Sequence, residues 1–273
     1  MNIRNLAERA SRGIVLRRRL PPSFGRLPIY VTPEAGLRYW SSMGQVDPVL
    51  YRMAEELVAP GATVWDIGAN VGLFSFCAAA RAGRSGSVLS VEPDFWLAQL
   101  IGRSARELNR RGCDSAPVRV LCASISEASQ ISELEVAERA RASNHLVGAI
   151  GSNQAKASRY SQVTVSLTLD YLLNYFAAPD VLKIDVETHE ASVLRGGRKL
   201  LTTARPKIWC EVSAGNSAEV TRLLQEAGYE MYGGETVPHP RIERAWFHTL
   251  AMPPSPARSG DIAQAASAPD APK

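Results

Sequence analysis

Long apolar runs are missing from this sequence of 273 residues. No stretch reaches the roughly 18 uninterrupted apolar residues that a membrane-spanning helix requires. The start of the chain carries scattered charges where a secretory signal would have an apolar centre. The hydrophobic content of 45% is still ordinary for a globular chain and suffices for one sizeable core. We therefore expect a soluble, cytoplasmic protein without a transmembrane segment.

Cysteine is also scarce, and its spacing excludes the common metal-binding frameworks. No C-x-x-C pair occurs, and most of the cysteines lie in apolar helix or strand patterns. We expect buried thiols in a reducing compartment. The four cysteines are Cys77, Cys113, Cys122 and Cys210.

Positive charge is concentrated at the start of the chain. Residues 1–20 hold six arginines against one glutamate, so the rest of the chain sums to about −1 of the net +4. We interpret residues 1–26 as a basic leader that is solvated or packs on a neighbour, and we do not expect nucleic acid as a partner. Binding of RNA or acidic lipid by this leader is the alternative.

The remainder of the chain alternates between strand-like and helix-like patterns. Short apolar runs bounded by glycine, proline or polar turns predict strands, and apolar residues spaced three or four apart predict helices between them. This alternation favours an α/β fold with a doubly wound, parallel sheet. The predicted strands span residues 64–67, 87–91, 118–123, 181–185 and 207–212, with closing strands at 229–232 and 245–252.

One domain is expected over residues 27–252. Within it, residues 124–162 form an insertion several-fold longer than the usual connection, so we expect it to carry small elements of its own and to cover the substrate. Residues 253–273 are rich in alanine, proline and serine, which predicts a disordered tail.

Two segments run an apolar strand into an acidic turn and predict one shared crevice at the carboxyl ends of the strands. In the first, the Asp66-x-Gly68-x-Asn70-x-Gly72 pattern allows a tight strand-to-helix turn and close approach of a ligand to the main chain. Glu92 ends the next strand, where a carboxylate can accept both hydroxyls of a ribose. A glycine turn with an acid that only caps the helix is the alternative.

The glycine spacing is not G-x-G-x-x-G, so a dinucleotide pyrophosphate has no matching cradle. A nicotinamide dehydrogenase is therefore disfavoured. Asp66, which precedes the first glycine, would instead place negative charge near a cationic ligand head.

The segments VWDIGANVG, VLSVEP and VLKIDVETHEASVLRGG resemble the FkbM family of class I S-adenosyl-L-methionine-dependent methyltransferases. The resemblance covers roughly residues 47–250, and its most specific part is K-I-D-V-E-x-x-E-x-x-V-L-x-G. It implies a Rossmann-like class I sheet, mostly parallel with an antiparallel closing strand. It also implies that the 66–72 turn contacts the methionine end of the cofactor, that Glu92 contacts the ribose, and that the protein O-methylates a small molecule, sugar or glycan.

Two positions depart from the family pattern. Thr188 stands where the family usually has glycine, so the turn after Glu187 is expected to differ. The third strand ends at Ala123 and Ser124, without the acid that often recognises adenine in class I enzymes. Ser124 is the candidate for that contact. A catalytically degenerate module that only binds the cofactor, and a nucleic-acid methyltransferase that uses the basic leader, are the alternative functions.

The second acidic turn contains the candidates for catalysis. Strand alternation sends Asp185 and Glu187 to the same side, and Asp185 is expected to contact both cofactor and acceptor. His189 titrates in the useful range and is the first candidate base, with a water-facing histidine as the alternative. His145, inside the insertion, is the second candidate. Two carboxylates without further ligands favour direct polar contacts over a metal ion, so no metal is predicted.

Overall fold

The computed structural model describes residues 11–137, 145–147 and 158–253. The first part of the leader and the predicted tail beyond residue 253 lie outside these residues. The helices are α1 (Pro48–Leu57), α2 (Leu73–Ala82), α3 (Phe95–Arg111), α4 (Leu169–Leu172), α5 (Glu190–Arg195), α6 (Arg198–Thr203) and α7 (Ser217–Glu226).

A sheet of eight strands forms the centre of the described structure. In chain order its strands are β3 (Thr63–Ile67), β4 (Ser87–Val91), β5 (Val118–Leu121), β10 (Val181–Ile184), β11 (Lys207–Glu211), β12 (Glu230–Gly233), β13 (Arg241–Ile242) and β14 (His248–Met252). Their spatial order is β13-β12-β14-β11-β10-β3-β4-β5. Neighbouring strands within the run β11-β10-β3-β4-β5 pair in parallel. Strand β14 is antiparallel to both β11 and β12. The prediction of a mostly parallel, doubly wound sheet with an antiparallel closing strand is confirmed.

Helices cover both faces of this sheet, which explains why its central strands are buried along nearly their whole length. Helices α1, α2 and α3 contribute to one buried cluster that includes Trp209. Helices α4 to α7 contribute to the other, which includes Trp65. Of the predicted buried thiols, Cys77 and Cys210 are buried, but Cys122 is exposed.

A hairpin precedes the central sheet and packs on α3. Its strands β1 (Leu16–Arg19) and β2 (Pro28–Val31) are antiparallel, and the intervening Phe24 is completely buried. Glu107 of α3 accepts hydrogen bonds from Arg17 at 2.6 Å and from the Tyr30 hydroxyl at 2.6 Å. The Arg17 guanidinium holds the pKa of Glu107 at about 2. The predicted boundary between residues 26 and 27 therefore falls inside a packed hairpin.

A chain that begins at residue 27 should be less stable than the full chain. It loses β1, Leu20 and Phe24, and removal of one buried phenylalanine side chain alone costs about 3–5 kcal/mol. Urea unfolding measures the difference. The exposed Ser23→Ala in the full-length chain is the control and should change the midpoint little. Equal midpoints for all three chains would contradict this packing role.

The insertion after β5 contains a second sheet. Its strands are β6 (Ser124–Ile125), β7 (Gln130–Ala137), β8 (His145–Val147) and β9 (Ser158–Leu167), in the spatial order β6-β9-β7-β8. Strands β7 and β9 pair over most of their length. In the described part of the chain, none of the helices has the length and apolar character required to cross a bilayer.

Candidate cofactor and active site

A cavity of about 380 Å³ opens at the carboxyl ends of β3, β4, β10 and β11. Its volume lies within the range of about 300–1,000 Å³ that small-molecule sites occupy. Among the described residues that line it, five of the acidic or basic side chains are carboxylic and one is an arginine. The charged side chains in the lining are Arg38, Asp47, Glu92, Asp185, Glu187 and Glu211.

Gly68 brings the turn after β3 against the end of β10. Its φ is +76°, and a Cβ atom built on it would lie 1.8 Å from the carbonyl oxygen of Asp185. Its own N–H donates to the Val91 carbonyl of β4 at 2.9 Å. Only glycine fits this conformation and this close approach. Gly72 has a φ of +81° at the start of α2 and does not line the cavity.

Glu92 places a fixed carboxylate in the cavity. Its Oε2 accepts a hydrogen bond from the backbone N–H of Asn70 at 2.8 Å, and its Oε1 accepts one from the N–H of Asp94 at 2.9 Å. The side chain is almost fully buried, and burial raises the pKa of Glu92 to about 8. Beside it, the buried Asn70 Oδ1 has no hydrogen-bond partner among the described residues.

Asp66 is completely buried and does not line the cavity. Its Oδ1 lies 3.2 Å from the Lys183 Nζ, and its Oδ2 accepts a hydrogen bond from the Ser75 hydroxyl at 2.6 Å. Its carboxylate therefore supports the floor of the cavity, contrary to the predicted contact with a cationic ligand head.

Lys183 connects this floor to the cavity, and it was not among the residues predicted from the sequence. Its Nζ lies 3.2 Å from the Asp185 carboxylate and donates to the Gly68 carbonyl at 3.3 Å. Burial opposes the charge on Lys183, but Asp185 and Asp66 outweigh it and raise its pKa. The available signal was a lysine in the apolar strand V-L-K-I beside the strand that carries Asp66.

The turn after β10 adopts the left-handed conformation that glycine favours, because Thr188 has a φ of +66°. Thr188, which stands where the family usually has glycine, therefore adopts a conformation that is costly for a non-glycine residue. Buried Glu190 accepts hydrogen bonds from the N–H of Thr188 at 3.2 Å and from the Ser213 hydroxyl at 3.0 Å. Asn216 donates to the Thr188 carbonyl at 2.7 Å. Asn216 has a capping-box spacing to Glu219, but its side chain holds this turn and does not cap α7.

Replacement of Thr188 by glycine should stabilise the protein by about 1 kcal/mol. A left-handed conformation costs a non-glycine residue about 1–2 kcal/mol, and the greater freedom of glycine in the unfolded chain offsets part of that gain. Denaturant unfolding measures the change. The control is Thr202→Gly in helix α6, which should destabilise. A loss of stability in Thr188→Gly would show that the threonine side chain contributes more than its backbone costs.

The predicted catalytic residues occupy different places. Glu187 and His189 both line the cavity, and the His189 Nδ1 lies 3.2 Å from the Glu187 carbonyl oxygen. Ser124 also lines it, with its hydroxyl 2.6 Å from that of Ser166. The His145 backbone pairs with Glu135 in the second sheet, and the position of its side chain lies outside the described part.

Three further lining residues were missing from the sequence analysis. Glu211 ends β11, and His248 is paired with it in register at the start of β14. Arg38 reaches the cavity from the segment before α1 and forms an ion pair with Asp47 at 2.9 Å. Within residues 11–137, 145–147 and 158–253, no group of three histidine, cysteine or acidic side chains has the arrangement of a metal site.

Comparison with known proteins identifies a family. The profile of the methyltransferase FkbM domain matches residues 66–231, which is more than half of the chain. A search of curated proteins finds no match.

Three solved structures with low identity are similar. An FkbM methyltransferase from Methylobacillus flagellatus is 15% identical with a TM-score of 0.46; the match covers 74% of this chain and 50% of that one. A precorrin-6y C5,15-methyltransferase from Geobacter metallireducens is 13% identical, with coverages of 77% and 88% and a TM-score of 0.43. An S-adenosylmethionine-dependent O-methyltransferase from Thermotoga maritima is 14% identical, with coverages of 77% and 66% and a TM-score of 0.42.

The match to the first of these structures spans half of that protein's length. The family assignment rests on the domain profile, and the sheet described above is the class I sheet that the resemblance implied. The chain belongs to the FkbM methyltransferase family.

Proposed function

We propose that this protein is an S-adenosylmethionine-dependent methyltransferase that methylates a hydroxyl oxygen of a small molecule, sugar or glycan. When bound, the cofactor supplies a methyl group on a positively charged sulfur. The observation that carries the proposal is the buried Glu92 carboxylate, which two backbone N–H groups hold at the edge of the cavity.

The residues of the cavity fit this cofactor in two respects. Glu92 has further lone pairs for the two hydroxyls of a ribose, and the orphaned Asn70 Oδ1 can accept another donor. The excess of carboxylates in the lining suits a ligand with a cationic centre. Ser124 and Ile125 line the cavity just beyond β5 and are candidates for the nucleobase end.

The acceptor end is open and contains an aromatic side chain. Phe247 lines the cavity and is 55% exposed, so it offers an apolar surface to a sugar ring or another small acceptor. Alignment of a hydroxyl in such a site supplies much of the acceleration. A positioned base adds about 10²–10⁴-fold. His189 is the first candidate from the sequence for that base.

Two arginines of the basic leader, the segment that the rival nucleic-acid function would use, are engaged within the protein. Arg17 is held by Glu107, and Arg18 donates to the carbonyl oxygens of Tyr39 and Trp40. We therefore retain a small-molecule or glycan acceptor. A catalytically degenerate module would bind the cofactor as tightly as an active enzyme does, but it would transfer no labelled methyl group to an acceptor.

Replacement of Glu92 by alanine should weaken cofactor affinity by about 2–4 kcal/mol, because two charge-assisted hydrogen bonds are lost. This corresponds to a dissociation constant roughly 30- to 1,000-fold higher by isothermal titration. Glu92→Gln keeps one acceptor oxygen and should lose less. The exposed Glu243→Ala is the control. Unchanged affinity in a folded Glu92→Ala variant would sink the assignment.

A further inference from the structure

Four neighbouring strands bring four residues into one row across the cavity. Register pairs Ile67 with Ile184 and Ile184 with Cys210. The next positions, Gly68, Asp185 and Glu211, are therefore also adjacent, and Glu211 pairs directly with His248 of β14. Adjacent strands lie about 4.8 Å apart, so side chains of one row that share a face are neighbours. Gly68, Asp185, Glu211 and His248 all line the cavity.

The two carboxylates of this row differ in their partners. Asp185 lies 3.2 Å from the Lys183 Nζ, a cation that it shares with Asp66, so its negative charge is only partly compensated. The Glu211 carboxylate makes no hydrogen bond or ion pair with the described residues. Burial, followed by the charge of Asp185, raises the pKa of Glu211 to about 8. Of the two, Glu211 is therefore the carboxyl group without a direct partner among the described residues.

The other groups that face Glu211 do not supply the missing positive charge. Arg38 is paired with Asp47 at 2.9 Å, and the two charges largely cancel. Burial lowers the pKa of His248, which keeps the imidazole neutral near neutral pH. The His248 Nδ1 is buried and has no hydrogen-bond partner among the described residues. Among the described residues, Glu211 thus stands beside a neutral imidazole, and the two cations that act on it, Lys183 and Arg38, are already bound to other carboxylates.

We propose that Glu211 meets the sulfonium of the bound cofactor, ionises when that cation arrives, and takes the proton of the acceptor hydroxyl. This inference rests on the proposed function and moves the base role from His189 to Glu211. In the transfer, the hydroxyl oxygen forms the new bond to the methyl carbon. The bond from sulfur to that carbon breaks with its electron pair left on sulfur, and the hydroxyl proton passes to the Glu211 carboxylate.

Proton release on cofactor binding tests this role without an acceptor. The full-length protein is titrated calorimetrically with S-adenosylmethionine and with S-adenosylhomocysteine, each in phosphate and in Tris. The difference in heat between the buffers gives the protons released. S-adenosylhomocysteine has the same ribose contacts but no positive sulfur, so subtraction removes the contribution of Glu92.

The wild-type protein should release more protons with S-adenosylmethionine than with S-adenosylhomocysteine. A cation within about 4–6 Å lowers a carboxyl pKa by about 1–3, so roughly half a proton or more per site is expected at about pH 7.5. Glu211→Gln should abolish this excess and still bind both ligands. The matched variants Glu187→Gln and His189→Gln should keep it.

Two failures are distinguishable. If the folded wild-type protein binds neither ligand, the proposed function fails. If it binds both and Glu211→Gln retains the wild-type excess, or the wild type shows none, only the role of Glu211 is overturned.

Discussion

Replacement of Lys183 by methionine should lower the free energy of unfolding by about 3–5 kcal/mol, because it leaves buried charge without its partner. Asp66 is completely buried, and its remaining hydrogen bond comes from the Ser75 hydroxyl. Methionine keeps most of the volume and the apolar stem, so the effect isolates the charge. Denaturant unfolding measures it.

Two further variants test the cause of this loss. Lys199 is exposed on α6, so Lys199→Met should change stability by less than about 0.5 kcal/mol. In the double variant Asp66→Asn with Lys183→Met, part of the lost stability should return, because no buried charge is left unpaired at Asp66. A Lys183→Met protein within about 1 kcal/mol of wild type would show that the pair contributes little.

Gly68→Ala should destabilise the protein by about 2–5 kcal/mol and abolish cofactor binding, since a left-handed backbone and an overpacked contact both carry a cost. The new Cβ would lie 1.8 Å from the Asp185 carbonyl oxygen, so the ends of β3 and β10 must separate. That separation disturbs Lys183 and the row of cavity residues.

The control for Gly68 is Gly112→Ala. Gly112 has a left-handed conformation with a φ of +59°, but nothing lies within 4 Å of a Cβ atom there. The free energy of unfolding of this control variant should fall by only about 1–2 kcal/mol because of backbone strain, and its cofactor affinity should be unchanged. Equal losses in the two variants would mean that close strand approach is unimportant at Gly68.

The parts of the site that follow from local sequence were predicted. The turn at Gly68 and the acid at Glu92 each follow directly from an apolar strand, and parallel pairing brings such strand ends together. The structure puts both in one cavity with Asp185, Glu187 and His189.

The residues that were missed depend on contacts between distant segments. Asp66 belongs to the same short pattern as Gly68, but it lies inside β3, where its register partner is Lys183, and only the adjacency of β3 and β10 reveals this. His248 reaches the cavity because β14 runs antiparallel, so its first residue lies at the edge where Glu211 ends β11. Arg38 lies in the short 3-10 helix Leu37–Trp40 before α1, which is too short to show a periodic pattern.

The predicted leader failed to indicate the hairpin for a related reason. Partly buried and exposed positions alternate only over the four residues of β1, three of which are arginines. Such a short stretch has no clear period, and its position depends on Tyr30 in the second strand and on Glu107 far along the chain.

Calorimetric titration of the full-length, wild-type protein with S-adenosylmethionine tests the central claim most directly. We expect saturable binding of one molecule per chain, competition by S-adenosylhomocysteine, and no binding of NAD. The absence of binding heat with either S-adenosyl compound in a folded protein, or saturable binding of NAD instead, would contradict the assignment of this cavity.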